Sequence, residues 1–366
     1  MIELASKPSP QGGRTLTRYD VTRAELAERL AGQPRYRVDQ VWAGLYEQLA
    51  SPDELTALPK ALRAELEESL PLALEVVAER TSDGGEVVKW LWVLTDGTQV
   101  ETVLMHYADR STVCVSSQAG CAMGCGFCAT GQAGFDRHLT TGEIVEQVVR
   151  AGRRARDDGR RLSNVVFMGM GEPMANYDAT WAAIERFHAD LGLSARHLTV
   201  STVGIVPGIR RLATEALPVN LAVSLHAAGD ALRDELVPIN RRYPLRTLMD
   251  ACAGYLQAKG RRLSFEWALI DGVNDGDRDA QLLMERARSL PLPAHVNLIP
   301  LNPTPGYALR GSSTRRVREF RDLLRSGGVN ATVRRTRGTR IDAACGQLRA
   351  THADAEPTAV ALRPRR

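Results

Sequence analysis

Four of the chain's six cysteines fall within the fifteen positions CVSSQAGCAMGCGFC, residues 114 to 128. Three of them, Cys121, Cys125 and Cys128, carry the spacing C-x3-C-x2-C, and Cys114 stands just ahead of the group. Soft thiolates so closely spaced can wrap one metal centre, and sulfur ligands select zinc, copper(I) or iron-sulfur clusters. A structural zinc site closes with four ligands. No further Cys or His follows at the usual pairing distance, and Cys114, the available fourth, falls within a predicted strand. A 4Fe-4S cube normally takes four cysteines, so with three of them one iron keeps a corner for an outside ligand. The spacing favours an iron-sulfur centre, leaves zinc as the alternative, and ranks unliganded core thiols last.

The rest of the chain must hold that loop in place. Its 366 residues, 44% hydrophobic and 25% charged, suit a water-soluble globular protein with one large domain and a smaller one. The opening MIELASKPSPQGG lacks the basic segment and apolar run of a signal peptide, and no apolar stretch is long enough for a bilayer. A cytoplasmic protein without a membrane partner is therefore expected. In a reducing compartment a disulfide framework is excluded, which turns the dense cysteines toward metal binding or catalysis. The net charge of +4 is mild, but arginine clusters recur at 150–162, 240–246, 259–263, 334–340 and in the terminal RPRR. Any one reads as a solvated helix face; five in one chain point to a nucleic-acid partner.

Residues 1–20, rich in Ser, Pro and Gly, are expected to be flexible, as is the tail 349–366. Residues 21–85 read as a small helical module, with a Thr-x-x-Glu capping box at Thr22 and a Ser-Pro-Asp-Glu start at Ser51. A β-hairpin extension follows at 86–110, VVKWLWVL and QVETVLMHY joined across an Asp-Gly turn. From 111 to 348 short β-branched runs alternate with helical patterns. The strand candidates are 112–118, 164–170, 197–203, 219–225, 262–270 and 294–301. Such units build a parallel sheet, either doubly wound or an incomplete barrel. The unusual residues sit at the ends of these strands: the cysteine loop after the first, GMGEP (169–173) at the second, Ser201 at the third, SLH (224–226) at the fourth, LNP (301–303) at the last. C-terminal strand ends are where α/β enzymes place their sites, and this spread favours one shared mouth.

The segment CAMGCGFC resembles the C-x3-C-x-aromatic-C signature of the radical S-adenosylmethionine (SAM) superfamily, whose open iron binds the amino and carboxylate groups of the cofactor. With VETVLM, FMGMGEP, STVG, SLHA, IPLNP and DAACGQL in the same order, residues 99 to 348 resemble the bacterial dual-specificity RNA methyltransferases. That family methylates C2 of adenine in 23S ribosomal RNA and in tRNA anticodon loops. The resemblance implies a partial (βα)6 TIM-like barrel, one 4Fe-4S cluster on Cys121, Cys125 and Cys128, and two SAM molecules per turnover. It also implies a monomer served by a cytosolic electron donor such as flavodoxin.

Adenine C2 lies between two ring nitrogens and is electron-poor, so displacement on a sulfonium does not suffice. In the implied route Cys345 first accepts a methyl group as a thiolate nucleophile. A 5′-deoxyadenosyl radical then takes hydrogen from that methyl group, and the carbon radical adds to C2. Glu101 removes the C2 proton, and Cys114 releases the product by forming a transient disulfide with Cys345, compatible with a reducing compartment because exchange reverses it. The resemblance gives SAM contacts to Gly171, Glu172, Ser201, Ser224, Leu225, His226 and Asn302. From the residues alone, Glu101 reads as a solvent-facing carboxylate of an alternating strand, Cys114 and Cys345 as buried inert thiols, and His226 as a core histidine. Cys252 receives no role, and Met168, Met170 and Met174 read as packing. The helical module and arginines would grip RNA phosphates, and the target adenine would leave its stack to enter the mouth. Methylation at adenine C8 by the same machinery, or a noncatalytic metal-binding RNA redox sensor, are the competing readings.

Overall fold

A computed structural model of the chain describes residues 16–301 and 309–334. It begins with three helices, α1 (Arg23–Arg29), α2 (Tyr36–Tyr46) and α3 (Lys60–Ser69). The capping box at Thr22 forms, its backbone N–H donating to Glu25 Oε2 at 2.7 Å. At Ser51 the same pattern caps only a three-residue 3-10 turn, Pro52–Glu54, and α3 starts after Pro59. Three antiparallel strands follow: β1 (Leu74–Ser82), β2 (Val87–Leu94) and β3 (Gln99–His106). The hairpin expected at 86–110 thus gains a third strand from the stretch read as part of the helical module.

Next come β4 (Ser111–Cys114), a two-stranded ribbon of β5 (Gln118–Gly120) and β6 (Phe135–His138), and the one-turn α4 (Ala129–Gln132) between them. Then helices and strands alternate: α5 (Thr141–Asp157), β7 (Leu162–Phe167), α6 (Tyr177–Ala189), β8 (Leu198–Thr202), α7 (Val206–Thr214), β9 (Asn220–Ser224), α8 (Asp230–Leu236), α9 (Leu245–Lys259), β10 (Leu263–Leu269), α10 (Asp277–Arg288), β11 (His295–Pro300), α11 (Thr314–Ser326) and β12 (Asn330–Val333). The six expected strands are β4 and β7 to β11; β12 adds one more.

All ten long-sheet strands pair in the order β1-β2-β3-β4-β7-β8-β9-β10-β11-β12, with every pair from β4 onward parallel. The order never reverses, so the doubly wound alternative with its switch point is excluded. Right-handed crossovers advancing always in one direction place the helices on one face and curl the sheet into an open barrel. Among the described residues β12 pairs only with β11.

Alternation along the strands divides the residues between two environments. Toward the helices point Val113, Val165, Val200, Leu221, Val223, Phe265, Trp267, Val296 and Leu298, all in the main hydrophobic core. The register aligns the other set across the sheet: Cys114 beside Val166, then Thr199, Asn220 and Ser201, Ala222, Ser264, followed by Ser224, Glu266 and Asn297. That second face is largely polar though enclosed. Its groups bond one another: Ser264 Oγ donates to Glu266 Oε1 at 2.9 Å, and Asn297 Nδ2 donates to the same oxygen at 2.8 Å. A buried polar face satisfied in this way is a surface shaped for ligands more than for stability.

Helix α5 fastens the N-terminal part to the barrel. Glu146, wholly buried, accepts from Ala73 N at 2.7 Å and Leu74 N at 3.3 Å. Arg150 donates to Leu74 O at 2.8 Å, Arg153 forms a two-pronged pair with Glu54 at 2.8 and 2.9 Å, and Arg154 pairs with Glu79 at 2.5 Å. Arg156 reaches Gln48 O and Arg160 reaches Tyr107 O. Much of the arginine cluster 150–162, read from sequence as a candidate RNA grip, thus docks one part of the protein on another.

Candidate active site

A cavity of about 270 Å3 opens at the C-terminal ends of the parallel strands. Cys121, Cys125 and Cys128 line one wall; Gly171, Glu172, Ser201, Ser224 and His226 line the others, with Phe127, Glu266 and Arg334. Leu225 does not line this cavity; it lies fully buried in the main core, with its N–H donating to Glu266 O at 3.0 Å. Asn302 and Cys345 fall outside the described residues.

The cysteine loop is held by close backbone approaches. Cys121 N donates to Gly134 O at 2.6 Å, and Gly120, at φ +75°, lies so near that a Cβ there would stand 2.1 Å from the same oxygen. Burial raises the thiols of Cys121, to about 12, and of Cys125, and the charge of the neighbouring sulfurs raises both further. Ionised sulfurs at Cys121 and Cys125 are thus unfavourable until a cation supplies the opposing charge, as a metal centre does. Among the described residues no three Cys, His, Asp or Glu side chains converge on the point that a single ion would occupy.

Opposite the cysteines, Gly171 adopts φ +96°, and a Cβ would lie 2.5 Å from Gln118 Cβ, so the turn requires glycine. Gln118 Oε1 in turn accepts from Glu172 N at 2.7 Å. The Glu172 carboxylate is buried and accepts from Met174 N at 2.9 Å and Val203 N at 2.8 Å. Burial raises its pKa to about 7, against those backbone bonds. His226 is a non-glycine residue at φ +58°, a conformation that folds tolerate mainly at functional positions. Its Nδ1 accepts from Ala268 N at 2.9 Å, leaving Nε2 to carry the proton, and burial followed by the Arg233 charge lowers its pKa to about 3. The ring is therefore a neutral donor on the cavity wall, with Phe127 edge-on at 4.8 Å.

Arg233, fully buried on α8, ties the strand ends together. Its Nη2 donates to Val203 O at 2.6 Å and Ser224 O at 3.2 Å, its Nε to Leu225 O at 3.0 Å, and its Nη1 to Asn240 Oδ1 at 2.8 Å.

Glu101 and Cys114 lie beside this cavity on the inner face of the sheet. Glu101 is 2% exposed, not solvent-facing as alternation suggested, and pairs with the fully buried Lys89 at 3.0 Å. Cys114 packs with Val87, Val103, Met105 and Met168, and Met168 also borders the cavity mouth. Burial raises the Cys114 thiol to about 11, while Arg334, the Met168 N–H and Lys89 pull it down. Met170 and Met174 are core residues, and Cys252 is buried in α9.

Sequence reasoning passed over Lys89, Glu266 and Arg233. A signal existed for the first two: each is a charge inside an otherwise apolar strand, VVKWLWVL and LSFEWAL. Nothing in the sequence around Arg233 distinguished it from a surface helix arginine.

The Radical SAM superfamily model matches residues 115–283. Over 348 residues the chain is 51% identical to the probable dual-specificity RNA methyltransferase RlmN of Chloroflexus aurantiacus, covering 91% of this chain and 93% of that protein. It is 50% identical over 339 residues to the dual-specificity RNA methyltransferase RlmN 1 of Myxococcus xanthus, with 91% and 94% covered. The crystal structure of a radical SAM methyltransferase from Sphaerobacter thermophilus, 53% identical, matches with a TM-score of 0.88 over 92% of this chain and 99% of that one. Identity of this extent over more than nine tenths of each chain, on a barrel carrying three cysteines at its mouth, makes the chain an enzyme of the dual-specificity RNA methyltransferase family within the radical SAM superfamily.

Proposed function

We propose that the chain methylates C2 of adenine in 23S ribosomal RNA and in tRNA anticodon loops, through a methylated Cys345 and with two SAM consumed per turnover. One observation carries this reading: the three cysteines share a cavity with Glu172, Ser201, Ser224 and His226, and Glu101 and Cys114 lie beside it on adjoining strands.

The donor set fits the two groups the family implies. Cys121, Cys125 and Cys128, three thiols of one loop lining a single wall of the cavity, would hold a 4Fe-4S cluster. Glu172 would take the cationic amino group of SAM. The hydroxyls of Ser201 and Ser224 and the Nε2–H of His226 would orient the remainder, with Asn302 and the Leu225 backbone completing the set. Bound there, cluster and cofactor supply methyl groups and one-electron chemistry.

The remaining steps fall to the chain's own side chains. Glu101 receives the proton from adenine C2, and Cys114 frees the product from Cys345. The helical module and the arginines outside the α5 docking contacts, Arg334 on the cavity wall among them, would hold RNA phosphates. A monomer, a cytosolic electron donor of the flavodoxin kind and a cytoplasmic setting complete the proposal. Among the described residues no helix is long and apolar enough to cross a membrane.

The test is anaerobic reconstitution with iron and sulfide, followed by assay of deoxyadenosine release and mass spectrometry of rRNA and tRNA digests. Methyl at C2, lost in Cys345→Ala, is expected, and so is a protein-RNA crosslink that accumulates in Cys114→Ala. Methyl confined to C8, or methylation that survives Cys345→Ala, would overturn the reading.

A further inference from the structure

Lys89 lies in the middle of β2 with its side chain fully buried, and its Nζ stands 3.0 Å from Glu101 Oε2, itself 2% exposed. Register explains the meeting. Lys89 faces Val103 and Leu91 faces Glu101, so the lysine reaches the carboxylate diagonally across the strand pair. Cys114 faces Val103 from the other side, which places all three polar side chains on the inner face around one valine.

Val87, Val103 and Met105 pack around this group, and Arg334 is a further cation acting on Cys114. Stability gives little reason to keep two charges there, because apolar residues of similar volume commonly hold a fold as well as a buried ion pair does. A buried carboxylate that must keep one orientation does need a strong donor within contact distance, and Lys89 Nζ is such a donor. We infer that Lys89 is a positioning residue for product release, holding the Glu101 carboxylate by a charge-assisted contact so that it stays aimed into the barrel. The inference rests on Glu101 acting as the base at adenine C2. In that step the C2–H bond breaks, its electron pair stays with the adenine, and the proton passes to a Glu101 carboxylate oxygen. Lys89 transfers nothing in this step.

The experiment uses the full chain, anaerobically loaded with iron and sulfide, mixed with SAM, a reductant and tRNA. Protein-RNA adduct is then quantified on denaturing gels over time. Lys89→Met is expected to stall as Glu101→Gln does, with release slowed about a hundredfold, the scale of a lost general base. Lys89→Arg, which keeps the charge, is expected to restore release to within about tenfold of wild type, a recovery that packing alone would not give to a larger side chain. Release by Lys89→Met at the wild-type rate, while Glu101→Gln stalls, overturns the role of Lys89 alone. Absence of adduct from both Glu101→Gln and Cys114→Ala refutes the reading of the site beneath it. If iron content and thermal melting show that Lys89→Met does not fold, the double variant with Glu101→Gln removes both charges together. It is expected to match Glu101→Gln alone, since Lys89 acts through that carboxylate, and any further slowing of release overturns the proposal.

Discussion

Replacing Arg233 by methionine removes the tie between the strand ends while keeping most of its volume. The guanidinium makes four hydrogen bonds, to the carbonyls of Val203, Ser224 and Leu225 and to Asn240 Oδ1, at 2.6 to 3.2 Å. Bonds from a charged donor contribute about 2 kcal/mol each, so roughly 8 kcal/mol is lost and three carbonyls lose a donor. Against this stands relief from burying a cation. Burial lowers the Arg233 pKa to about 10, which corresponds to about 3 kcal/mol held against the charged form. The balance is a net destabilisation of about 4 to 5 kcal/mol, within the range seen when buried charged networks are broken. The loss is local as well as global, because Ser224 and His226 flank the freed carbonyls. Urea unfolding of the anaerobic holoprotein, followed by circular dichroism, measures the first effect, and calorimetric titration with SAM the second. Arg233→Met is expected to lower the unfolding midpoint sharply and to weaken SAM binding by more than about tenfold. A stability change below about 1 kcal/mol would refute the accounting. Unchanged SAM affinity would refute the claim that Arg233 shapes the cavity wall.

Four further outcomes follow from the same geometry. His226 is held neutral, with a pKa near 3 when folded against about 6.5 when unfolded, so its contribution is complete above the unfolded value and lost as pH falls through the window between the two. The stability advantage of wild type over His226→Gln is therefore expected to shrink by about 2 kcal/mol from pH 7 to pH 5, read from paired urea titrations. Gly171→Ala forces a side chain into a φ of +96° and against Gln118; a strain of about 1 to 2 kcal/mol and a displaced Glu172 are expected to weaken SAM binding, measured by titration calorimetry. Glu146→Ala leaves Ala73 N and Leu74 N without their carboxylate and is expected to cost about 2 to 4 kcal/mol in urea unfolding. Glu54→Ala, at a half-exposed ion pair with Arg153, is expected to cost below about 1 kcal/mol in the same assay.

The cysteine spacing and the strand-end motifs were legible because they rest on local sequence. Three sulfurs within one loop must lie close wherever the loop goes, and a motif that follows a strand sits at that strand's end. The two faces of the sheet were not legible. In β2 nearly every side chain is buried, one row against the helices and the other inside the barrel, so no outward polar row reveals which residues share a face. Glu101 and Lys89 were therefore visible as letters but not as neighbours. β12, four residues long and reading NATV, is too short for a periodicity to declare itself. β1 carries exposed Glu and Arg along most of its length, as an edge strand does, and was absorbed into the charged helical stretch before it. The arginines of α5 looked like a basic surface because sequence does not show that Glu54 and Glu79 wait opposite them.

The hairpin between β2 and β3 closes on the Asp96-Gly97 turn, with Gly97 at φ +85°, and nothing after that point can slip. Thr102, the next residue after Glu101, donates to Gln147 of α5 at 2.9 Å on the far side of the sheet. Deleting or inserting one residue between Gly97 and Glu101 would exchange the two, handing the carboxylate to the helix layer and an alcohol to the barrel interior. Natural variation in chain length should accordingly collect in the loops before β2 and after β3, and this short span should keep its residue count even where its side chains drift.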